Sequence, residues 1–468
     1  MEDSIIGERK LGQFLMHTLS GKKLDTSKGN ISGTILLLAI PMVLEMLMES
    51  LFSVVDIFFV GKIGVNAVAT IGLTESIMSV LYSVSIGLSM AATALIARRV
   101  GEKKIDKAAE VAFQAIVITV LFAVVSGFLG YIYAEDLLRM MGATDAIVEE
   151  GLVYTQIIFT GNASVVLLFV INGIFRGAGN ASTAMHSLWI ANFINIVLNP
   201  ILIFGLGSIP AFGLKGAAYA TLIGRSLGVL YQLIMLRFGK TIFQISRKAF
   251  VLKKKIVLKF LKLAAGSMSQ FVIEAISWIF LIKLIAGYGS TVVAGYTIAY
   301  RILMFSILPG WGMANVAATM VGQNLGAGKP DRAETSVWKT VKFNALLLGI
   351  FSLIFLLVPH FFVHLFTTDA EVLLSGTEAL RYFSIGFIFF ACGMVLSQSL
   401  NGAGDTKTPA FINILVFIVI QIPLAWVLSK GIGLGAPGVY CAITISYLIH
   451  ALFSFIAFKR GKWKVIKI

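Results

Sequence analysis

The sequence is short of charge. Only 13% of its 468 residues are Asp, Glu, Lys or Arg, about half the share of an ordinary soluble domain. A chain of this length with so few ionisable side chains must bury most of its surface in lipid. Cysteine is scarce as well. Cys392 and Cys441 are the only two and both fall inside apolar runs, so a disulfide framework is not expected. The five histidines (His17, His186, His360, His364 and His450) show no metal-ligand clustering. His360 and His364 form an i, i+4 pair at a helix end, which suits a bilayer interface better than a metal. No phosphate-cradling loop is present, because GQNLGAGKP lacks the GKS or GKT ending and the preceding strand. That disfavours an ATP-driven pump and leaves an ion gradient as the energy source. No loop gathers a nucleophile, a base and a metal ligand, so the chain is not expected to be an enzyme, and no cofactor is implied. The amino end opens polar and charged, with no apolar run before residue 35, so no cleavable signal is expected.

Apolar residues are abundant: 58% of the chain is hydrophobic and the mean hydropathy is +0.91. Runs of about 20 apolar residues are needed to cross the hydrocarbon core as helices. Twelve are predicted, over 35–61, 71–96, 108–133, 151–174, 184–206, 214–237, 257–286, 292–320, 336–358, 379–400, 409–429 and 435–458. The runs are continuous rather than alternating with period two, which excludes a β-barrel.

These spans come in two sets. Residues near any position return as similar residues 225 positions on: Ala39 and Ala264, Gly87 and Gly312, Gly101 and Gly326, Asp106 and Asp331, Gly161 and Gly386. The run Gly177-Ala178-Gly179 returns as Gly402-Ala403-Gly404. Six spans per copy is an even number, so both copies enter the membrane from the same side, as parallel repeats. Such duplicated bundles are typical of secondary transporters, which bind substrate between their repeats. The predicted organisation is a polar arm (1–34), a first lobe (35–237), a basic linker (238–256), a second lobe (257–458) and a basic tail (459–468). The linker would either tether two moving bundles or anchor to anionic lipid.

The net charge of +15 could suggest nucleic acid, but its distribution points to lipid. Basic residues crowd the arm, the even-numbered loops (Arg98, Arg99, Lys103, Lys104 and Lys107 in the second) and the tail, whereas odd-numbered loops hold few, such as Lys62, Arg139 and Lys215. This positive-inside asymmetry places both termini in the cytoplasm. Basic loops facing anionic lipid account for the excess without a polynucleotide.

A charge at mid-membrane costs at least about 2.5–3.5 kcal/mol on insertion scales. The first span nevertheless carries Glu45, Glu49 and Asp56. At about 100° per residue, Glu49 lies about 40° and Asp56 about 20° from Glu45, so all three share one narrow stripe. That stripe is expected to face a wet cavity. Clustered, desolvated carboxylates repel one another, so some should be protonated near neutral pH and suited to exchanging H⁺ for a cation; Glu45, near the cytoplasmic end, could instead snorkel into water. Pro41 lies one turn earlier and is expected to make a flexible point. The fifth span brings Asn192, Asn195 and Asn199 at helical spacing, with Pro200 expected to break the ladder beside them. Their carbonyl oxygens could coordinate a hard cation such as Na⁺ or simply bond between helices. In the second copy Leu281 stands where Asp56 would be, and Glu274 is the mid-span acid, with Trp278 one turn on and Lys283 and Arg301 as possible counter-ions. Glu75, in the second span, is a further intramembrane acid.

The segments VVDIFFVGKIG, AVATIGL, ARRVGEKKIDKA and its duplicate GQNLGAGKPDRA, with IFRGAGNAS and LNGAGDTKTP, complete a pattern over about residues 31–460. In these segments the chain resembles the multidrug and toxic compound extrusion (MATE) family, within the multidrug/oligosaccharidyl-lipid/polysaccharide exporter group. The resemblance implies an all-α polytopic membrane protein whose two six-helix lobes form a V around a central cavity. It also implies a monomeric antiporter of the bacterial plasma membrane, expelling amphipathic, often cationic, organic compounds in exchange for Na⁺ or H⁺. By position, Asp56 matches the family's coupling aspartate, and Asn195 and Thr221 match residues near the same ion site. Glu274 matches the seventh-helix glutamate of other branches. The DNA-damage-inducible-type members carry Asp where this chain has Asn199, and a tenth-helix acid of other branches is absent. The nearest alternative is a lipid-linked oligosaccharide flippase, which would need a cationic cavity, whereas this interior is expected to be richer in acids than in bases.

Overall fold

The structure, a computed structural model, describes Thr18 and residues 26–239, 242–245 and 249–468. Most of the arm predicted over 1–34, and Lys240, Arg247 and Lys248 of the basic linker, lie outside the described residues. The first copy opens with α1 (Ile31–Gly61), α2 (Val65–Gly101) and α3 (Ile105–Ile132). A short α4 (Ala134–Met140) leads into α5 (Asp145–Thr160) and α6 (Asn162–Gly177), followed by α7 (Ala181–Phe204) and α8 (Leu214–Phe238). The second copy runs α9 (Lys254–Ala286), α10 (Ser290–Gly326), α11 (Pro330–Leu357), short α12 (Pro359–His364), α13 (Ala370–Ala403), α14 (Lys407–Gly431) and α15 (Ala436–Lys459). Among the described residues, eleven helices are long and apolar enough to span a bilayer, and the α5–α6 pair, bent by 41°, makes a twelfth span. The chain is thus an all-α, multi-pass membrane protein. Among the described residues the only β pairing is one isolated bridge, Leu206 to Ile209.

Every predicted span has its helix, with three differences. The run over 151–174 is a broken span: α5 stops at Thr160, Gly161 turns the chain, and α6 restarts at Asn162. The matching Gly386 lies inside the unbroken α13. Secondly, α1 and α7 pass through Pro41 and Pro200 as continuous helices, so the expected break at Pro200 does not occur. Membrane helices tolerate proline because neighbouring groups re-satisfy the freed carbonyl. Thirdly, the connections after α3 and α11 contain the short helices α4 and α12. His360 and His364 of α12 are both exposed, their rings stacked 6.0 Å apart.

The duplication holds residue by residue. Helices α2 and α10 begin and end 225 residues apart, and so do α3 and α11. Gly177 of α6 packs on α2, where a Cβ would meet the Thr93 carbonyl oxygen at 2.6 Å; Gly402 of α13 packs in the same way on Ala318 of α10. Thr93 and Ala318 are themselves 225 apart. Glycine is needed at both because the helix backbones touch there. After α2 the chain turns through Lys103 at φ 58°, and after α10 through Gly328 at φ 71°. The turn demands a left-handed residue in both copies, but only the second supplies glycine.

Two compact units are present. One holds residues 40–264, and the other combines residues 26–39 with 265–468. The segment before α1 is fastened within the second unit: Thr26 Oγ1 donates to Gln323 Oε1 (2.7 Å), and Arg332 donates to the Thr26 and Lys28 carbonyls (3.1 and 2.6 Å). Within the first unit, the described end of the linker packs on α3, with Phe250 stacked on Phe113 and Lys253 bonded to Glu110 and Gln114. The tail docks through Trp463, which is buried and stacked on Phe458 at 4.7 Å. Nearby, Lys464 bonds Glu334, and that bond raises the Lys464 pKa above its ordinary value.

Two substitutions test the turn and the close approach. Gly402→Ala forces a Cβ into the Ala318 backbone and should lower stability by about 1–3 kcal/mol. Lys103→Gly relieves a left-handed residue and should raise stability by about 1 kcal/mol. Thermal unfolding of the detergent-solubilised protein reads both.

Candidate functional site

The first unit gathers its polar residues where α1, α7 and α8 meet. Helix α8 comes close to α7 through Gly216, Gly224 and Gly228, whose missing Cβ atoms would collide with the backbone at Leu202, Ala191 and Ser187. That close approach brings Thr221 of α8 against Asn195 of α7, and Arg225, one turn on, against Glu49 of α1. The asparagines recur every three or four residues, so they share one face, and each finds a different partner. Asn199 Nδ2 donates to Asp56 Oδ1 (2.8 Å) and to Asn195 Oδ1 (3.3 Å), and Asn195 Nδ2 donates to Thr221 Oγ1 (3.0 Å). Asn192 Nδ2 reaches the Met48 carbonyl (3.2 Å) and Glu49 Oε2 (3.4 Å).

Asp56, Asn195 and Asn199 are buried and Thr221 is half-buried. The four residues named from the sequence as a cation site are therefore joined in one hydrogen-bonded chain. Asn199 Oδ1 is buried without a partner, and a buried carbonyl oxygen left in that state is costly. Carboxylate, amide and hydroxyl oxygens are the donor set that hard cations take. Among the described residues, no group of three or more His, Cys, Asp and Glu could hold a metal ion, so a transition-metal centre does not arise from them.

The other two acids of the α1 stripe have partners that the sequence reading missed. Glu45 is buried and accepts from Arg176 Nη1 (3.1 Å) and Asn172 Nδ2 (2.9 Å), both on α6. Arg176 also donates to Ser89 on α2 (3.1 Å), while Ser187 and Gln232 donate to Asn172 Oδ1. Glu45 therefore does not snorkel into water; its second oxygen, Oε2, is buried and unpartnered. Glu49 takes a two-pronged bond from Arg225, Nη2 to Oε1 at 2.7 Å and Nη1 to Oε2 at 3.2 Å, and the guanidinium also lies 4.7 Å from the Phe52 ring centre. The structure adds what the sequence reading did not include: two of the three carboxylates, Glu45 and Glu49, are each paired with an arginine. Arg225 lies in the middle of an apolar span, and an intramembrane arginine demands a partner; that was the available signal. Glu75 is exposed on α2.

The second unit has a cavity of about 300 Å³. Glu274 of α9 opens onto it and accepts from Asn413 Nδ2 at 2.9 Å. Immediately after Asn413, α14 widens into a π-helical stretch, Ile414–Ile420, a distortion often found at functional sites. Trp278, Tyr300, Trp311, Phe390 and Tyr447 line the wall, and the Trp278 and Tyr300 rings are 6.1 Å apart. Lys283 and Arg301 are exposed, and the bond recorded for Glu274 comes from Asn413 instead. Leu281, at the position matching Asp56, is buried.

The Glu45–Arg176 pair yields a stability test. Arg176→Gln strands a buried carboxylate and should cost about 3–5 kcal/mol, while Glu45→Gln with Arg176→Gln should recover most of that loss. Thermal melts of the two variants compare them.

A model of the MatE family matches this chain twice, over residues 41–201 and 264–427, one match per copy. The chain is 25% identical over 456 residues to a "Probable multidrug resistance protein YoeA" of Bacillus subtilis (strain 168), covering 94% of this chain and 97% of that one. The solved structure of MATE in complex with MaL6 superposes with TM-score 0.88 at 26% identity, covering 94% of this chain and 98% of that one. A Pyrococcus furiosus transporter of the MOP superfamily, described as having a binding pocket of reverse polarity that suggests a different function, matches with TM-score 0.89 at 26% identity, over 95% and 99% of the two chains. With both copies matched and the twelve-span fold shared along nearly the whole length, the chain belongs to the MatE family.

Proposed function

We propose that the protein is a cation-coupled exporter of amphipathic, often cationic, organic compounds, embedded in the plasma membrane with both termini in the cytoplasm. The observation that carries this reading is the buried chain Asp56–Asn199–Asn195–Thr221, with its orphan Asn199 oxygen. One carboxylate among neutral oxygens suits Na⁺ or H⁺. A cation bound there more tightly in one conformation than in the other shifts the equilibrium between them by that difference, which is how an ion gradient drives export. The names of relatives as multidrug resistance proteins support export rather than catalysis.

The cargo reading rests on the second unit. Aromatic faces attract organic cations, and Glu274 supplies the compensating negative charge at the cavity wall. Met304 and Met394, also on the wall, add adaptable, polarizable surface suited to loosely specified ligands. A lipid-linked oligosaccharide flippase is the second reading. Arg176 and Arg225 favour it to the extent that they supply positive charge in the first unit, but each is already held by a glutamate.

In proteoliposomes carrying an imposed Na⁺ or H⁺ gradient, the wild type should expel an ethidium-like dye. Asp56→Asn should abolish that gradient-driven efflux while leaving folding intact; undiminished efflux would refute the coupling role. Glu274→Gln should weaken binding of cationic dyes several-fold and leave neutral compounds unaffected, as read by fluorescence titration. Scrambling of a labelled lipid-linked sugar without dye efflux would favour the flippase.

A further inference from the structure

The coupling reading leaves Glu49 and Arg225 without a role, yet they lie at the edge of the same polar seam. Arg225 is one helical turn from Thr221 on α8, about 6 Å along the axis. Asn192, which touches Glu49, is on the α7 face that also carries Asn195 and Asn199. Glu49 and Asp56 are seven residues apart on one stripe of α1. Arg225 is buried and so is Asp56, so mobile salt screens their interaction little.

We infer that the Glu49–Arg225 pair sets the valence of the cation taken at Asp56. The inference rests on the reading of Asp56, Asn195, Asn199 and Thr221 as the coupling site. Two carboxylates and one guanidinium leave the seam with a single net negative charge, and the neighbouring Glu45–Arg176 pair adds no net charge to it. One monovalent cation brings the seam to neutrality. A divalent cation would leave a buried positive charge beside a fixed guanidinium, an arrangement a low-dielectric interior penalises heavily. Without Arg225 the seam would carry two negative charges, on carboxylates about 10 Å apart along α1, a charge that a divalent ion such as Ca²⁺, bound at the Asp56 oxygens, balances better than a monovalent one. Without Glu49 the seam would be neutral before any cation entered, and the unpaired Arg225 would repel one. Arg225 and Glu49 are thus specificity-determining residues that need not touch the ion. The two-pronged geometry, the Phe52 ring beneath the guanidinium and the Asn192 bond hold the positive charge in place.

Full-length protein in proteoliposomes tests this, with ⁴⁵Ca²⁺ binding and cation-driven dye efflux as the two measurements. Arg225→Gln should bind Ca²⁺ at least tenfold more tightly than the wild type, and its efflux should become sensitive to Ca²⁺. Glu49→Gln should need at least tenfold more of the driving cation for half-maximal efflux. The double variant, again with one net negative charge, should return to within about threefold of the wild type on both measurements. Arg225→Lys, which keeps the charge but loses the fork, should retain discrimination against Ca²⁺ and covers the case in which Arg225→Gln does not fold. Adding Asp56→Asn to Arg225→Gln should erase the gained Ca²⁺ binding. The inference is overturned if Arg225→Gln leaves Ca²⁺ affinity unchanged, if the double variant is no better than the single ones, or if the gained Ca²⁺ survives loss of Asp56. Efflux that persists in Asp56→Asn would instead overturn the coupling reading itself.

Discussion

A carboxylate inside a bilayer must find compensation within the protein, because no solvent is there to supply it. The α1 stripe poses that problem three times within twelve residues, and much of the first unit is arranged around the answers. Arg176 and Asn172 answer for Glu45, Arg225 and Asn192 for Glu49, and Asn199 for Asp56. The first two receive full opposite charges, whereas Asp56 receives only an amide. That difference in kind is why the proposed coupling site is placed at Asp56 rather than at the other two acids of the stripe.

The compensation depends on backbones coming close. Gly216, Gly224 and Gly228 let α8 lie against α7, and only then do Thr221 and Arg225 come within reach of the asparagines and of Glu49. In lipid there is little hydrophobic drive to pull helices together, so small residues and interhelical hydrogen bonds carry the packing. Glycine and polar residue are therefore parts of one device: the first sets the distance that the second bridges.

The two copies show what duplication preserves. Contacts set by backbone proximity recur at the same offset, as Gly177 on Thr93 and Gly402 on Ala318 do. Polar chemistry does not recur: Asp56 becomes Leu281, and the second unit places its acid at Glu274, beside an aromatic cavity. A steric contact between helices constrains both copies equally, because both must pack. A buried charge constrains only the copy that uses it, and is lost from the other once its compensation goes.

Much of this was present in the residue order. Twelve apolar runs, their repeat and the one-sided acidic stripe follow from hydropathy and helical periodicity, which are local properties, and the predicted spans have their helices. The grouping of Asp56 with Asn195, Asn199 and Thr221 was reached through family likeness. The partners of Glu45 and Glu49 were not reached, since Arg176 and Arg225 are more than a hundred residues away in the chain and a pairing at that separation leaves no local trace. Nor was the bend at Gly161, because the matching Gly386 leaves its helix unbroken. The sequence by itself determined which segments enter the membrane and which of them carry charge, because transfer into lipid depends on composition alone. Only the tertiary structure decided which charges cancel and which one is left over, because that depends on distances between helices.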